Sequence, residues 1–137
     1  MKKTGWARKI SEQLNYEQAR ALLLTMPEAR EDFPFGPNVA VMKVLDKMFA
    51  TLAEEDGLPR INLKCDPDEA VMLRDIFDAV MPGYHMNKRH WNTVILDGSI
   101  PRGEVERMIE NSYQLVVAGV PAKARKALQR RTGQKIR

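Results

Sequence analysis

Apolar positions along this chain follow a helical period in some stretches and a strand period in others, and the switches between the two outline its elements. Ala19, Leu22, Leu23 and Met26 recur at helical spacing. Asn15 with Gln18 three residues on is a capping-box variant before them, and Pro27 stops the run. Val39–Val44 and Lys47–Leu52 are β-rich runs flanking Leu45-Asp46, which reads as a hairpin. Beyond the polar loop Glu54-Glu55-Asp56-Gly57, Ile61 and Leu63 alternate with Asn62 and Lys64 as in a half-buried strand. Asp66-Pro67-Asp68-Glu69 opens a second helix with a capping aspartate, proline at the first helical position and acids where the dipole favours them. Its expected buried stripe is Ala70, Leu73, Ile76, Phe77 and Val80, ended by Pro82-Gly83.

Thr93–Leu96 reads as a short strand closed by the turn Asp97-Gly98. A helix from near Pro101 turns Val105, Met108, Ile109, Ser112 and Val116 inward and ends at Gly119 and Pro121, and Ala122–Arg131 is helix-prone. Two prolines and a glycine exclude regular structure from Asp32–Pro37, where Phe33 and Phe35 are expected to tuck the loop against the core. The order is one helix, three strands, a helix, one or two strands, then two helices. Strands joined by tight turns, with helices segregated from them, imply an α+β fold: an antiparallel sheet with helices packed on one face. Residues 1–12 read as a loose basic extension, 13–131 as a single domain and 132–137 as a basic tail.

Composition narrows the class. The chain has 137 residues, 44% hydrophobic and 29% charged, which suits one folded domain. No apolar run approaches membrane-spanning length, and the basic start lacks the apolar stretch of a secretory signal. The one cysteine, Cys65, excludes an internal disulfide and suits a reducing compartment, so cytoplasm is the expected location. The net charge of +4 is unevenly spread: seven bases in Lys123–Arg137 and four in Met1–Lys9, without an acid, leave eleven bases against eighteen acids over Ile10–Ala122, a balance of −7. An acidic body repels phosphate, so nucleic-acid contact would need a local patch or the ends.

Catalytic signatures are missing. His85 and His90, five apart, share no face of a helix or strand, and no paired-cysteine or zincin spacing supports a metal site. Cys65 lacks a third orienting group and reads as a buried structural thiol, while capping accounts for Asp66, Asp68 and Glu69. Glycine-rich phosphate loops and nucleophile elbows are absent. The expectation is a protein that is not an enzyme and carries no cofactor.

One segment interrupts the acidic body. Tyr84–Thr93 holds two bases, both histidines of the chain, two aromatics and two amides, with no acid. It lies within PGYHMNKRHWNTVILDG (Pro82–Gly98). Together with DFPFGP (Asp32–Pro37), DKMFATL (Asp46–Leu52), INLKCDP (Ile61–Pro67) and SYQLVVAGVPAKAR (Ser112–Arg125), this closely resembles the MmcQ/YjbR family over roughly residues 15–130, in order. The resemblance implies a frataxin (CyaY)-like two-layer sandwich and a bacterial DNA-binding protein of double-wing type. Within it, Lys43, Lys47, Lys64, Asn87, Lys88, Arg89, His90 and Trp91 are expected at the contact surface. Frataxins handle iron through an acidic ridge on the first helix; here that helix offers only Glu17, so iron handling does not carry over.

Two functions follow. In the first, Lys88, Arg89 and the basic tail neutralise DNA phosphates while Asn87, His90 and Trp91 position or stack. In the second, a protein-interaction or small-ligand module uses a groove lined by Phe35, Tyr84, His85 and Trp91, as the −7 body suggests. Plainer roles compete at each position: a solvated loop for Lys88 and Arg89, a packing anchor for Trp91, turn-closing amides for Asn87 and Asn92, and a solvated C-terminal run. Convergence of Lys43, Lys47, Lys64, Lys88 and Arg89 on one face favours DNA; interleaved acids favour the module. A deep pocket enclosing His85, His90 and Cys65 would instead revive an enzyme.

Overall fold

A computed structural model describes residues 13–133. The expected basic extension and the end of the tail, residues 134–137, lie outside them. The elements run α1 (Tyr16–Leu24), β1 (Arg30–Asp32), β2 (Ala40–Val44), β3 (Lys47–Glu55), β4 (Leu58–Lys64), α2 (Pro67–Ile76), β5 (Val80–Pro82), β6 (Trp91–Ile95), α3 (Arg102–Ala118) and α4 (Ala122–Thr132). The strands form one six-stranded sheet in the order β1-β2-β3-β4-β6-β5, antiparallel at every pairing. The expected α+β fold is observed: the helices close one face of the sheet, and the core lies between the two layers.

Local chemistry sets the boundaries. Asn15 Oδ1 accepts from the Gln18 N–H at 2.8 Å and Gln18 Oε1 from the Asn15 N–H at 2.9 Å, so the capping box starts α1 as its spacing indicated. Asp66 caps α2 by accepting from the N–H groups of Asp68 and Glu69. Both hairpins turn on two residues of positive φ, Leu45-Asp46 (52° and 63°) and Asp56-Gly57 (54° and 78°), the twist that fits a tight antiparallel connection.

Adjacent rungs of the sheet show how alternation divides it. Ala40, Leu52, Ile61, Val94 and Val80 stand side by side facing the helices, all buried. The next rung, Val41, Thr51, Asn62, Thr93 and Met81, faces the other way. The register shifts between Met42 and Lys43, leaving Phe49 as the extra residue of a bulge. Both Phe49 and Ala50 are then buried in the core, and Met48 and Thr51 share the open face. Ser112 of α3 reaches this irregularity. Its hydroxyl donates to the Phe49 carbonyl at 2.6 Å and accepts from the Lys64 N–H at 2.9 Å.

Four expectations need correction. Helix α2 ends at Ile76 rather than reaching Pro82, because Phe77 is extended (φ −119°, ψ 120°) and Val80–Pro82 pairs with β6. Ile76 is therefore not in the buried stripe; it is 60% exposed, beside the equally outward Val71 and Met72. Asp32 joins the unforeseen edge strand β1, and Phe33 and Phe35 point outward, at 45% and 71% exposure, instead of packing on the core. The basic C-terminal run is not a solvated tail throughout: α4 docks through the fully buried Leu128, and Arg131 pairs with Glu28 at 2.8 Å.

Replacing Ser112 by Ala strands a buried carbonyl and N–H at the bulge. The expected loss is about 1–3 kcal/mol of stability, read as a lower urea midpoint at unchanged slope. An unchanged midpoint would mean that the bulge is satisfied without Ser112.

Candidate functional site

The sheet face away from the helices carries a cavity of about 550 Å³. Its floor is the outward rung: Thr51, Asn62 and Thr93 stand beside one another on β3, β4 and β6. Two loops wall it. Phe35, Asn38 and Val39 come from the β1–β2 connection, and Tyr84, His85 and Met86 from the β5–β6 connection. Met48 and Ala53 add apolar surface, and Glu54, Glu55 and Arg60 sit toward the β3–β4 hairpin.

The polar floor is incompletely paired. The Thr93 hydroxyl accepts from the Tyr84 N–H at 3.0 Å and donates to Asn62 Oδ1, which leaves the Asn62 NH₂ as a donor on the cavity floor. That NH₂ and the Thr51 hydroxyl make no hydrogen bond to another described residue. Arg60 gives one terminal nitrogen to Glu55 at 3.0 Å, yet its Nε is buried without a partner. Only the Arg60 Nε among these is fully buried; the Asn62 NH₂ and the Thr51 hydroxyl open onto the cavity, where an acceptor from outside the chain can take the place of solvent.

The second loop is held from behind. Arg74 of α2 donates through Nε to Asn92 Oδ1 at 2.7 Å and through a terminal nitrogen to the Lys88 carbonyl, while Asn92 Nδ2 donates to the Ala70 carbonyl. Gly83 N–H bonds the Trp91 carbonyl at 2.9 Å, and a Cβ at Gly83 would stand 2.8 Å from Trp91 Cβ, so the loop closes only over glycine. At its tip His85 has φ 59°, a left-handed backbone that a side chain adopts at a cost, and its ring leans on Tyr84 with centroids 4.0 Å apart. Tyr84 is 66% exposed, so this aromatic pair overhangs the cavity mouth opposite Phe35.

Three of the four expected groove residues, Phe35, Tyr84 and His85, line this cavity; Trp91 does not. Trp91 is half-buried at the start of β6, packed under Gly83, and serves as an anchor. Neither His90 nor Cys65 lines the cavity, so the three-residue constellation that would suggest an enzyme is not assembled. The His90 N–H donates to the Asn87 carbonyl and its own carbonyl accepts from Cys65. Asn87 and Asn92 take the plainer roles, Asn87 closing a turn to the Arg89 N–H at 2.9 Å and Asn92 buried as described.

The register places the expected cationic residues at one end of the sheet: Lys43 and Lys47 beside the β2–β3 hairpin, Lys64 at the end of β4, and Lys88 and Arg89 just before β6. Acids interleave them. Asp32 binds Lys43 at 3.0 Å, and that bond with the Phe33 N–H holds its carboxyl below the usual range; Asp46 lies in the hairpin turn, 3.6 Å from Arg30. Lys88 turns its ammonium to the Gly83 carbonyl at 3.1 Å. Lys47, Lys64 and Arg89 make no ion pair with a described residue. The interleaving moves the balance toward the binding module.

Sequence reasoning singled out the aromatic rim but missed the floor. Thr51, Asn62, Thr93 and Arg60 belong to three separate strands, and only register assembles them. Among the described residues no group of three or more His, Cys, Asp or Glu is placed to hold a metal ion, and no helix is long and apolar enough to cross a membrane.

A family model described as YjbR matches residues 24–115. The uncharacterised protein YjbR of Escherichia coli strain K12 is 36% identical over 119 residues, 87% of this chain and 96% of that protein. The uncharacterised YbdF of Escherichia coli O157:H7 is 35% identical over 88% of this chain and 98% of its own length. The crystal structure of Deinococcus radiodurans DR2400, with the domain DUF419, superposes with a TM-score of 0.77 at 35% identity, covering 85% of this chain and 89% of that one.

Burial pushes the Cys65 thiol up to about 11, helped by Glu69 and Asp66. Since the free thiol titrates at ~8.5, the unfolded state ionises first. The contribution to stability is thus full below that value and is lost as pH rises toward about 11. Alkylation of the native protein at mildly alkaline pH should be slow and become fast in urea, with a urea midpoint that begins to fall below pH ~10 and a Cys65→Ala variant whose fall starts only where the tyrosines ionise. Rapid native alkylation would contradict it.

Proposed function

We propose, from the premise that this chain belongs to the YjbR family, that its domain binds a small organic molecule on the open face of the sheet and does not transform it. One observation carries the reading: a cavity of about 550 Å³, within the size range of small-molecule sites, whose floor presents the Asn62 amide and the Thr51 hydroxyl without partners among the described residues. An apolar body with a few convergent polar groups is the usual composition of such a site, and methionines at Met48 and Met86 adapt to different shapes. A binding rather than catalytic role is supported by the floor itself, where the Thr93 hydroxyl faces an amide instead of a base, and by the neutral, buried Cys65. A cytoplasmic setting accords with that thiol.

Chemical-shift mapping with a library of aromatic fragments tests the reading on the full chain. Binders should move the amides of Thr51, Asn62, Tyr84 and Thr93 together. Tyr84→Ala should weaken them while changing stability by no more than about 0.5 kcal/mol, as expected for an exposed side chain. Shifts scattered over the helices, or no binders at all, would remove the proposal.

The gathering of Lys47, Lys64 and Arg89 at one end of the sheet favours a second reading, in which that end meets the phosphates of DNA. Anisotropy of a labelled duplex across a salt series then gives a linear loss of log affinity. Replacing the three residues by glutamine should reduce its slope by about 2 to 3. A slope unaffected by the replacements leaves this reading without a contact surface. The basic C-terminal run is kept in this test, because α4 seats Leu128 in the core.

A further inference from the structure

We infer that the molecule bound in the open-face cavity is a planar aromatic compound that carries a hydrogen-bond acceptor and no negative charge. The inference rests on the cavity being the binding site, and three independent features set the ligand's chemistry.

The first is the sign of the hydrogen bonds on offer. The Asn62 NH₂ can only donate, and the Thr51 hydroxyl is a second polar group on the cavity floor without a partner among the described residues. A carbonyl or ring nitrogen at the buried end of the ligand would satisfy them, whereas a donor there would leave them unpaired at a cost. The second is charge. Glu54 and Glu55 line the cavity against the single guanidinium of Arg60, which Glu55 already engages. No lysine lines the cavity; Lys43, across from Met48, is held by Asp32, and Lys88 turns to the Gly83 carbonyl. An anionic ligand seated beside Arg60 would meet two carboxylates with no unengaged lysine or arginine among the lining residues. The third is the rim. Phe35 and the Tyr84–His85 pair leave ring surface open to solvent beside the mouth, where a flat ligand covers it by stacking. The left-handed backbone of His85 holds that pair in place over the cavity.

The other surfaces carry less. The outward row Val71, Met72 and Ile76 on α2 has nothing against it to indicate a partner, and Cys65 is buried.

The test uses a matched pair of probes with the same ring system, 2-naphthamide and 2-naphthoate, titrated into the full chain by amide chemical shifts. The expected result is that the amide binds at least about tenfold more tightly than the carboxylate, with shifts at Thr51, Asn62, Tyr84 and Thr93. The saturated analogue decalin-2-carboxamide should bind more weakly than the aromatic amide. Asn62→Asp keeps an oxygen for the Thr93 hydroxyl but replaces the donor by a charge, and should abolish naphthamide binding. Thr51→Val, which removes one hydroxyl at constant shape, gives a smaller loss and serves should the aspartate variant not fold. Naphthoate binding at the same residues as tightly as the amide overturns this inference and leaves the site standing. Equal binding of the saturated analogue overturns the aromatic requirement. If neither naphthyl probe binds there while other fragments do, the ligand class is wrong; if nothing binds there, the site reading falls with it.

Discussion

The hydroxyl of Ser112 bridges β3 to β4 beside Phe49, the extra residue of the bulge between β2 and β3, and this bridge supports the division of the sheet into two faces. A bulge leaves backbone groups without ladder partners. Here the stranded Phe49 carbonyl and Lys64 N–H are joined through one buried side chain of α3. That bridge lets β3 change phase in mid-strand. Phe49 turns inward to meet Tyr113 edge-on, with ring centroids 5.5 Å apart, while Met48 and Thr51 stay on the outer face. A strand of strict alternation would have put one of them in the core. The cavity on one side and the packing on the other are therefore consequences of the same irregularity.

The aromatic rim depends on a different kind of support. Asn92 is a polar residue on the helix-facing side of the sheet, buried between Arg74 and the Ala70 carbonyl. Through Arg74 the same group grips the Lys88 carbonyl, so helix α2 positions a loop on the far side of the sheet without touching the cavity. With Gly83 closing the loop's other end, the backbone that carries Tyr84 and His85 is fixed at both sides. Rigid support behind a ring overhanging a mouth limits the entropy lost when a ligand is clasped.

Much of this was legible in the residues, and what was not has physical causes. Helix starts were readable because caps are local: Asn15 with Gln18, and Asp66 with Pro67, act within one turn. The hairpin at Leu45-Asp46 was readable from the strands around it. The end of α2 was misplaced because Phe77–Val80 continues an apolar helical pattern, and only pairing with β6 extracts Val80 for the sheet. Phe33 and Phe35 were assigned to the core on hydrophobicity, which does not distinguish a ring that packs from one displayed at a rim. The site was half visible. Its aromatic rim is contiguous in sequence and stood out in an acidic chain, whereas Thr51, Asn62 and Thr93 are separated by strands and look like ordinary outward positions until register sets them side by side.

The sheet's outermost strands have a consequence for how molecules of this kind meet. Both β1 and β5 are three residues long; the first is Arg30-Glu31-Asp32, charged throughout, and the second ends at Pro82, which has no N–H to give. Neither border offers a template on which a neighbouring chain could continue the hydrogen-bonded ribbon. Copies crowded together in a cell are thereby discouraged from fusing side to side. The broad face between those borders stays reachable from solvent, available to visitors that bring their own complementarity.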